Sequence, residues 1–238
     1  MKNFLLSLIF ILFTFSIKCQ TFSGKVTYEV KLTFTKENLK QMELNNNKAT
    51  NTMRKVLQNS TDTNVLLKFT SNQSHYEVIK KLEINDRKPL NMTYSIAGGS
   101  KQYITDLIVN KNTMKECELL EECFLIEQPV LKWELTQETK LVGGYICYKA
   151  INISSKNKKK KPVAWYTPQI PARFGPKHYF GLPGLILELE ETAVVFKVKE
   201  IILNPKEEVK VIVKEGTKIS QEEYNKKLKK AFTQFYEN

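Results

Sequence analysis

The segment Gly181-Leu182-Pro183-Gly184-Leu185-Ile186 constrains the fold of this chain more than any other stretch. Pro183 fixes its own φ at about −65° and holds Leu182 in an extended conformation. Gly184 follows at the position where a type II turn needs a positive φ. Apolar and acidic residues then alternate through residues 185–190, which predicts a strand with one apolar face. The segment is therefore predicted to be a turn that leads directly into a strand.

A long irregular connection precedes this turn. Residues 163–167 are predicted to form a short strand, and prolines and glycines then prevent regular structure until residue 185. A connection of this length in a compact domain is normally either functional or packed as an Ω-type loop. Because its large side chains are aromatic or aliphatic, we expect it to pack on a core rather than to move as a lid. These side chains are Ile170, Phe174, Tyr179, Phe180 and Leu182.

Residues 1–20 have the pattern of a signal peptide. Lys2 precedes an almost wholly apolar run, 4–17, which is short for a membrane-spanning helix and suits the apolar core of a signal peptide. Cys19 also allows a lipoprotein interpretation, but Lys18 stands where that processing prefers a small residue. We expect a single exported domain over residues 21–238, in the periplasm, at the outer membrane or secreted. Any contact with a membrane is expected to be peripheral.

The formal net charge is +12, and this excess of lysine could favour anionic partners such as lipid headgroups, acidic glycans or nucleic acid. The densest lysine run, residues 156–161, contains no aromatic residue that could stack on a base. Nucleic acid is therefore not expected as a partner. Lysine-rich turns and solvated helix faces are the ordinary explanation for the charge.

Three cysteines follow the predicted leader. Cys117 and Cys123 have five residues between them and could bridge a turn between two strands, because export permits disulfides. Cys147 would then be a buried thiol on a strand, since an odd count leaves one cysteine unpaired. No histidine lies near these cysteines and no pair has C-x-x-C spacing, so neither a metal site nor a cofactor is expected.

Short strands at regular spacing are predicted along most of the chain. The clearest is 26–34, where apolar and polar residues alternate. One or two short helices are expected between residues 36 and 60. With so few helices, the pattern predicts a mainly β (α+β) fold, a strongly curved antiparallel sheet or half-barrel. The further candidate strands are 65–70, 75–83, 103–109, 113–117, 123–127, 132–136, 145–153, 163–167, 185–190, 193–203 and 208–214.

The chain is predicted to end in an amphipathic helix. Ser220 and Glu223 have the S-x-x-E spacing of a capping box. We expect the apolar face of this helix to dock on the sheet or to cover an edge strand, with binding to a membrane surface as the alternative. That face carries Tyr224, Leu228, Ala231, Phe232 and Phe235.

The six-residue segment at 181–186 resembles the signature of the GLPGLI family, exported proteins of Bacteroidetes-type bacteria. The resemblance covers essentially the whole chain after the leader, and the lysine run at 156–161 departs from it. Other positions that look like the family pattern are Gly24, Val26, Tyr28, Leu67-Lys68-Phe69, Trp133, Thr139-Lys140, Gly144-Tyr145, Cys147, Lys149-Ala150, Trp165-Tyr166-Thr167, Ile170-Pro171 and Gly175-Pro176.

The resemblance implies architecture and export, and it carries no activity to named residues. Gly181 to Ile186, Trp133, Gly175 and Pro176 are therefore expected to serve the fold. The pattern is also loosely similar to periplasmic lipoprotein carriers, in which a curved sheet wraps a helix and offers an apolar concavity. That similarity concerns topology, which does not assign a function.

Catalytic patterns are absent from the sequence. His178 is a lone histidine in the long connection, and as a general base it would need a nucleophile and an orienting acid. No G-x-S-x-G, H-E-x-x-H or phosphate-loop pattern is present. We expect a structural or surface role for His178, and we expect Glu188 and Glu190 to face solvent on one side of their strand.

The leading functional hypothesis is an exported, non-enzymatic binding or accessory protein of the cell envelope. It would hold an apolar or peptide-like ligand, or an envelope partner, with the concave sheet face and the long connection. The candidate ligand-binding residues are Trp165, Tyr166, Phe174, Tyr179 and Phe180, whose alternative role is core packing. A purely structural envelope module is the second hypothesis, and a hydrolase that uses His178 is the third. The oligomeric state is not predicted.

Overall fold

The computed structural model describes residues 22–34, 40, 48–80, 90–155, 160–212 and 215–237, with the side chains of 48, 49 and 234–237 left aside. The predicted leader and residues 156–159 of the lysine run lie outside these residues.

One open sheet of twelve strands organises the described part of the chain, in the order β12-β6-β5-β4-β3-β2-β1-β11-β10-β9-β8-β7. Neighbouring strands are antiparallel, except that β12 runs parallel to β6. The predicted mainly β fold with a curved antiparallel sheet is confirmed. The strands are β1 (Gly24–Leu32), β2 (Thr63–Phe69), β3 (Gln73–Val78), β4 (Gln102–Asp106), β5 (Lys111–Glu116), β6 (Phe124–Gln128), β7 (Trp133–Val142), β8 (Tyr145–Asn152), β9 (Val163–Thr167), β10 (Leu185–Glu190), β11 (Val194–Leu203) and β12 (Thr217–Ile219).

β1 lies at the centre of the sheet and joins its two halves. Its apolar residues alternate, and Val26, Tyr28 and Val30 are fully buried on one face. β1 pairs with β2 on one side and with β11 on the other. Because β11 comes more than 160 residues later than β1, the sheet is completed late in the sequence.

Two of the three helices in the described residues lie between strands of the first half: α1 (Lys48–Asn59), α2 (Met92–Ala97) and the C-terminal α3 (Gln221–Glu237). α1 falls where one or two helices were predicted. α2 was not predicted, although Asn91 accepts a hydrogen bond from the Tyr94 N–H as its N-cap and Gly98 ends it. α2 lies against β1, β2 and β11. The buried Tyr76 hydroxyl donates to the Ala97 carbonyl at 2.6 Å, which fixes the end of this helix on the apolar face of the sheet.

The predicted strand at 208–214 is wrong over the part that is described. Residues 208–212 form no strand, and 213–214 lie outside the described residues. Val209 is nevertheless buried, which accounts for its apolar alternation. The preceding strand β11 already has β1 and β10 on its two sides, so it has no free edge for this segment. The short β12 was not predicted and instead extends the far end of the sheet beside β6.

The capping box of α3 is present as predicted. The Ser220 N–H donates to Glu223 Oε2 at 3.0 Å, and the Glu223 N–H donates to Ser220 Oγ at 3.1 Å. Tyr224 is buried against the ring of Phe124 on β6, with 5.7 Å between the ring centroids. Phe232, two turns later, is 49% exposed. The first half of the helix therefore docks on the end of the sheet, as expected, and the second half extends past it.

Replacing Ser220 by Ala should remove the cap and destabilise α3 by about 1 kcal/mol, because two backbone and side-chain bonds are lost at its start. Hydrogen exchange of the first-turn amides should speed up by about fivefold. Thr233→Ala is the matched control, since the Thr233 hydroxyl bonds to the Lys229 carbonyl inside the exposed half. Equal protection in Ser220→Ala and the parent protein would show that the cap adds nothing.

Candidate functional site

The long connection lies where β10 parts from β11. β10 is paired with β11 at Glu188, Leu189 and Glu190. Before these residues, the Ile186 N–H donates to the Phe174 carbonyl at 3.0 Å, and the Tyr28 hydroxyl donates to the Ile186 carbonyl at 2.7 Å. Burial raises the pKa of Tyr28, so its hydroxyl remains a donor at any physiological pH. A loop carbonyl and a core hydroxyl thus replace the missing strand partner.

The turn at Pro183 differs from the predicted type II turn. Gly184 has φ 159°, and its N–H donates to the Leu182 carbonyl at 2.8 Å, which closes a tighter turn around the proline. Gly184 is required for a different reason than predicted. A Cβ at this position would lie 2.1 Å from the backbone carbonyl oxygen of Thr167 on β9. The absence of a side chain therefore lets the turn contact the neighbouring strand.

The prediction that the connection is packed on the core is confirmed, because its large side chains are buried. The Trp133 indole Nε1 donates to the Phe180 carbonyl at 2.9 Å and ties the connection to β7. Gly175 lies against Ile186, where an added Cβ would be 2.5 Å from the Ile186 Cδ1 atom. Trp133, Gly175 and the six-residue segment thus meet at one place in the fold. The buried side chains are Ile170, Ala172, Phe174, Tyr179, Phe180 and Leu182.

Gly184→Ala should lower the free energy of unfolding by more than about 4 kcal/mol, because the added methyl group meets backbone that cannot move without breaking the β9–β10 pairing. Gly181→Ala is the matched control. Gly181 has φ 94°, but no neighbouring atom lies within 4 Å of the position that its Cβ would occupy, so the substitution should cost about 1 kcal/mol of backbone strain. Urea denaturation measures both; similar losses in the two variants would contradict the close-contact explanation.

A part-buried ion pair anchors the middle of the connection. Lys177 Nζ lies 2.7 Å from Glu191 Oε2, with 10% and 14% of the two side chains exposed. The same Nζ contacts the Ile96 carbonyl of α2 at 3.4 Å. Lys177 has a positive φ of 53°, a backbone conformation that costs energy and is held here by its surroundings. The connection is thereby joined to the β10–β11 turn and to α2 at a single side chain.

Glu191 also acts on Tyr179 through its charge. Burial first, and then the nearby Glu191 charge, raise the pKa of Tyr179, which therefore stays protonated. Lys177, Tyr179 and Glu191 form a buried polar cluster that the sequence analysis did not identify. The two charged residues are 14 positions apart with no periodic relation, so no sequence signal joins them.

His178 packs as an aromatic ring within this cluster. It stacks on Tyr179 at 4.4 Å and lies 6.1 Å from the ring of Tyr103. Burial, followed by the Lys177 charge, lowers the pKa of His178 to about 4, so the ring is neutral at physiological pH. Among the described residues, no hydrogen bond joins the His178 ring to an acid or a nucleophile. The geometry gives His178 a packing role.

Acid should destabilise the protein through His178. The unfolded state binds a proton at pH 6.5 and the folded state at about 4, so stability falls as the pH drops between these values and is constant outside them for this group. The free energy of unfolding should fall by about 2 kcal/mol over this range. This is less than the full pKa shift corresponds to, because the ring is not completely buried. His178→Gln should flatten this part of the pH profile in chemical denaturation. If His178→Gln kept the pH dependence of stability seen in the parent protein, this dependence would not come from His178.

A second polar cluster corrects the prediction that Glu188 faces solvent. Glu188 is buried, and Lys140 Nζ lies 2.6 Å from its Oε1 atom. The same ammonium group lies 4.1 Å from the ring centroid of Trp165. The Trp165 indole Nε1 donates to Glu190 Oε1 at 3.1 Å. This strand face is therefore covered at Glu188, whereas the Glu190 side chain is still 43% exposed.

The cover is the tip of the β7–β8 hairpin. Two strands separate β7 from β10 in the sheet, yet Lys140 on β7 reaches Glu188 on β10. In addition, a Cβ on Gly143 would lie 2.8 Å from Val198 on β11. The tip must therefore curl across the face of the sheet. The irregular pairing between Leu135 and Thr139 on β7 supplies the bend.

The cysteines behave as predicted. Cys117 and Cys123 form a disulfide across the turn between β5 and β6, and Cys147 is a buried free thiol on β8. Burial raises the pKa of Cys147 to about 11, so the thiol is protonated and unreactive at neutral pH. Within the described ranges, no group of three or more metal-binding side chains comes together.

The five candidate ligand-binding residues do not form one open platform. Trp165 and Tyr166 are consecutive on β9 and point to opposite faces of the sheet. Phe174, Tyr179 and Phe180 lie in the connection, and all five side chains are buried. Tyr179 packs beside Trp133, with 6.1 Å between the ring centroids, and is therefore part of the core.

Comparison with known proteins supports the fold. A family model described as "Protein of unknown function (Porph_ging)" matches residues 154–188, which include the whole connection and the turn. No curated protein matches the sequence. Two solved structures of PNGF-II, in the C2 and P21 space groups, are similar to 87% of this chain with a TM-score of 0.55 and 14% and 12% identity. The chain spans about a third of the length of these structures.

The described helices include none that is long and apolar enough to cross a bilayer.

Proposed function

We propose that this chain is an exported cell-envelope protein of the GLPGLI type that works by binding a partner protein, without catalysing a reaction. The observation that carries the proposal is the filled concave face. Ile170, Phe174 and Leu182 from the long connection are buried where a carrier protein would hold an apolar ligand. A partner then binds on the outer surface of the protein.

Export is supported by two independent features. The leader pattern at residues 1–20 is typical of a signal peptide. The Cys117–Cys123 disulfide is typical of an oxidising compartment, because reducing systems in the cytosol keep most such thiols reduced. The GLPGLI-type assignment over the whole exported chain rests on the residues that resemble the family, of which the matching family model covers 154–188.

The non-enzymatic part of the proposal is supported by the chemistry of the polar groups. His178 is a neutral packing group, Cys147 is a protonated buried thiol, and Lys177 and Glu191 neutralise each other. Neither His178 nor Cys147 has the pKa and access that a general base or nucleophile needs, and Lys177 and Glu191 are held by their ion pair. A purely structural module is the alternative, and it would have the same filled interior without a bound partner.

Native mass spectrometry of the protein purified from its own host tests the proposal. We expect the mass of a complex with another protein, and no small apolar molecule bound. A lipid-like or peptide-sized adduct that disappears in Phe174→Ser would replace the proposal with ligand binding in the concavity. A bare monomer under gentle conditions would favour the structural module. As a check on catalysis, a host strain carrying His178→Gln should match the parent strain in growth and envelope integrity.

A further inference from the structure

The sheet has one long unprotected edge. In the described residues, the sheet ends at β12, which has three residues, and at β7, which has ten. An edge strand presents unpaired N–H and C=O groups, and proteins normally protect such edges with short strands, outward charges or bulges. β12 is protected by its length and by its position beside α3. β7 has an irregularity between Leu135 and Thr139 but keeps regular pairing with β8 on both sides of it.

Two of the three charged residues of β7, Lys140 and Glu138, are paired within the molecule, and the third, Glu134, is exposed. Lys140 reaches across the sheet to Glu188 at 2.6 Å, and Glu138 is paired with Lys149 of β8 at 2.8 Å. These charges are therefore directed at their own neighbours and do not repel an incoming strand. A ten-residue edge on which Glu134 is the one charge outside these pairs is open to pairing with another chain.

An apolar strip lies beside this edge, on the hairpin face opposite Lys140 and Cys147. Leu141 and Ile146 are direct cross-strand partners and are 71% and 53% exposed. Leu135, further along the same face of β7, is 54% exposed. Three exposed aliphatic side chains along one hairpin are unusual for a solvated surface and typical of a binding surface. We call this strip and the edge of β7 the β7 surface.

We propose that the β7 surface binds an extended, apolar segment of an acidic partner protein, which adds a strand to the sheet beside β7. Backbone pairing would supply part of the affinity, and alternate side chains of the segment would pack on Leu135, Leu141 and Ile146. This inference rests on the proposed function and names the site at which the partner binds.

The net charge of the chain indicates which kind of partner binds the β7 surface. The formal net charge of the chain is +12, with Lys2 and Lys18 of the leader contributing two of these charges. Two exported copies would therefore repel each other, whereas an acidic protein is attracted at long range. The β7 surface itself is apolar with internally paired charges, so the contact segment is apolar and the acidic residues lie elsewhere on the partner.

Site-specific photo-crosslinking in the host tests the inference, with benzoyl-phenylalanine placed at Leu141. Ile108 is the matched control, since it is also an aliphatic residue, is 73% exposed, and lies in the turn between β4 and β5. We expect a crosslink to one other protein from position 141 and none from position 108. Peptide mapping should place the crosslink in an apolar segment of that protein.

The affinity for the purified partner then measures how much each side chain contributes to binding. Leu141→Lys and, separately, Ile146→Lys should each weaken the affinity by at least about tenfold, and Ile108→Lys should leave it unchanged. Unchanged thermal unfolding of the lysine variants shows that they fold. If one of the two variants does not fold, the other still tests the inference. Affinity unaffected by both would overturn the inference.

The outcomes also separate this inference from the proposed function. A crosslink to a partner from position 108 and none from 141 overturns the β7 surface and keeps the binding function. A crosslink from 141 to a second copy of the chain overturns the acidic partner. Absence of any partner at both positions, with a bare monomer in native mass spectrometry, overturns both proposals.

Discussion

The hydrogen bond from the buried Tyr28 hydroxyl to the Ile186 carbonyl is the interaction on which the rest of the structure depends. It joins the central strand β1 to the point where β10 leaves β11. Unpaired backbone groups at such a point would cost free energy if they were buried without partners. Tyr28 and the Phe174 carbonyl satisfy Ile186, and the long connection is thereby held on the concave face. The filled interior follows from this requirement.

Two ion pairs stabilise the geometry at a cost. Lys177–Glu191 under the connection is largely removed from solvent, and Lys140–Glu188 under the hairpin tip is so at Glu188, whereas 33% of the Lys140 side chain is exposed. Desolvation offsets much of the Coulombic attraction in such pairs, so their effect is chiefly to fix position. Each pair joins elements that are not neighbours in the sheet. The first fixes the connection against α2, and the second fixes the hairpin tip over β10, which leaves the other face of that hairpin exposed.

Local patterns account for the parts of the fold that the sequence predicts correctly. Alternation predicts β1 because a strand with one buried face needs a period of two. The capping box predicts the start of α3, and the spacing of Cys117 and Cys123 predicts their disulfide. The sequence analysis missed α2 because its sequence signal consists of two capping residues around a helix of six residues. Residues 208–212 were predicted as a strand because apolar alternation does not show whether a neighbouring strand has a free edge to pair with.

By itself, the sequence determines that this is a mainly β chain with a turn at Pro183 and an aromatic connection packed before it, because these features follow from steric limits and short-range periodicity. Only the tertiary structure decides why Gly184 is needed, where Lys177 and Lys140 find their partners, and which face of the β7–β8 hairpin is exposed. These depend on contacts between residues that are distant in the chain or on non-adjacent strands. Curvature and irregular pairing bring such residues together, and no local spacing encodes them.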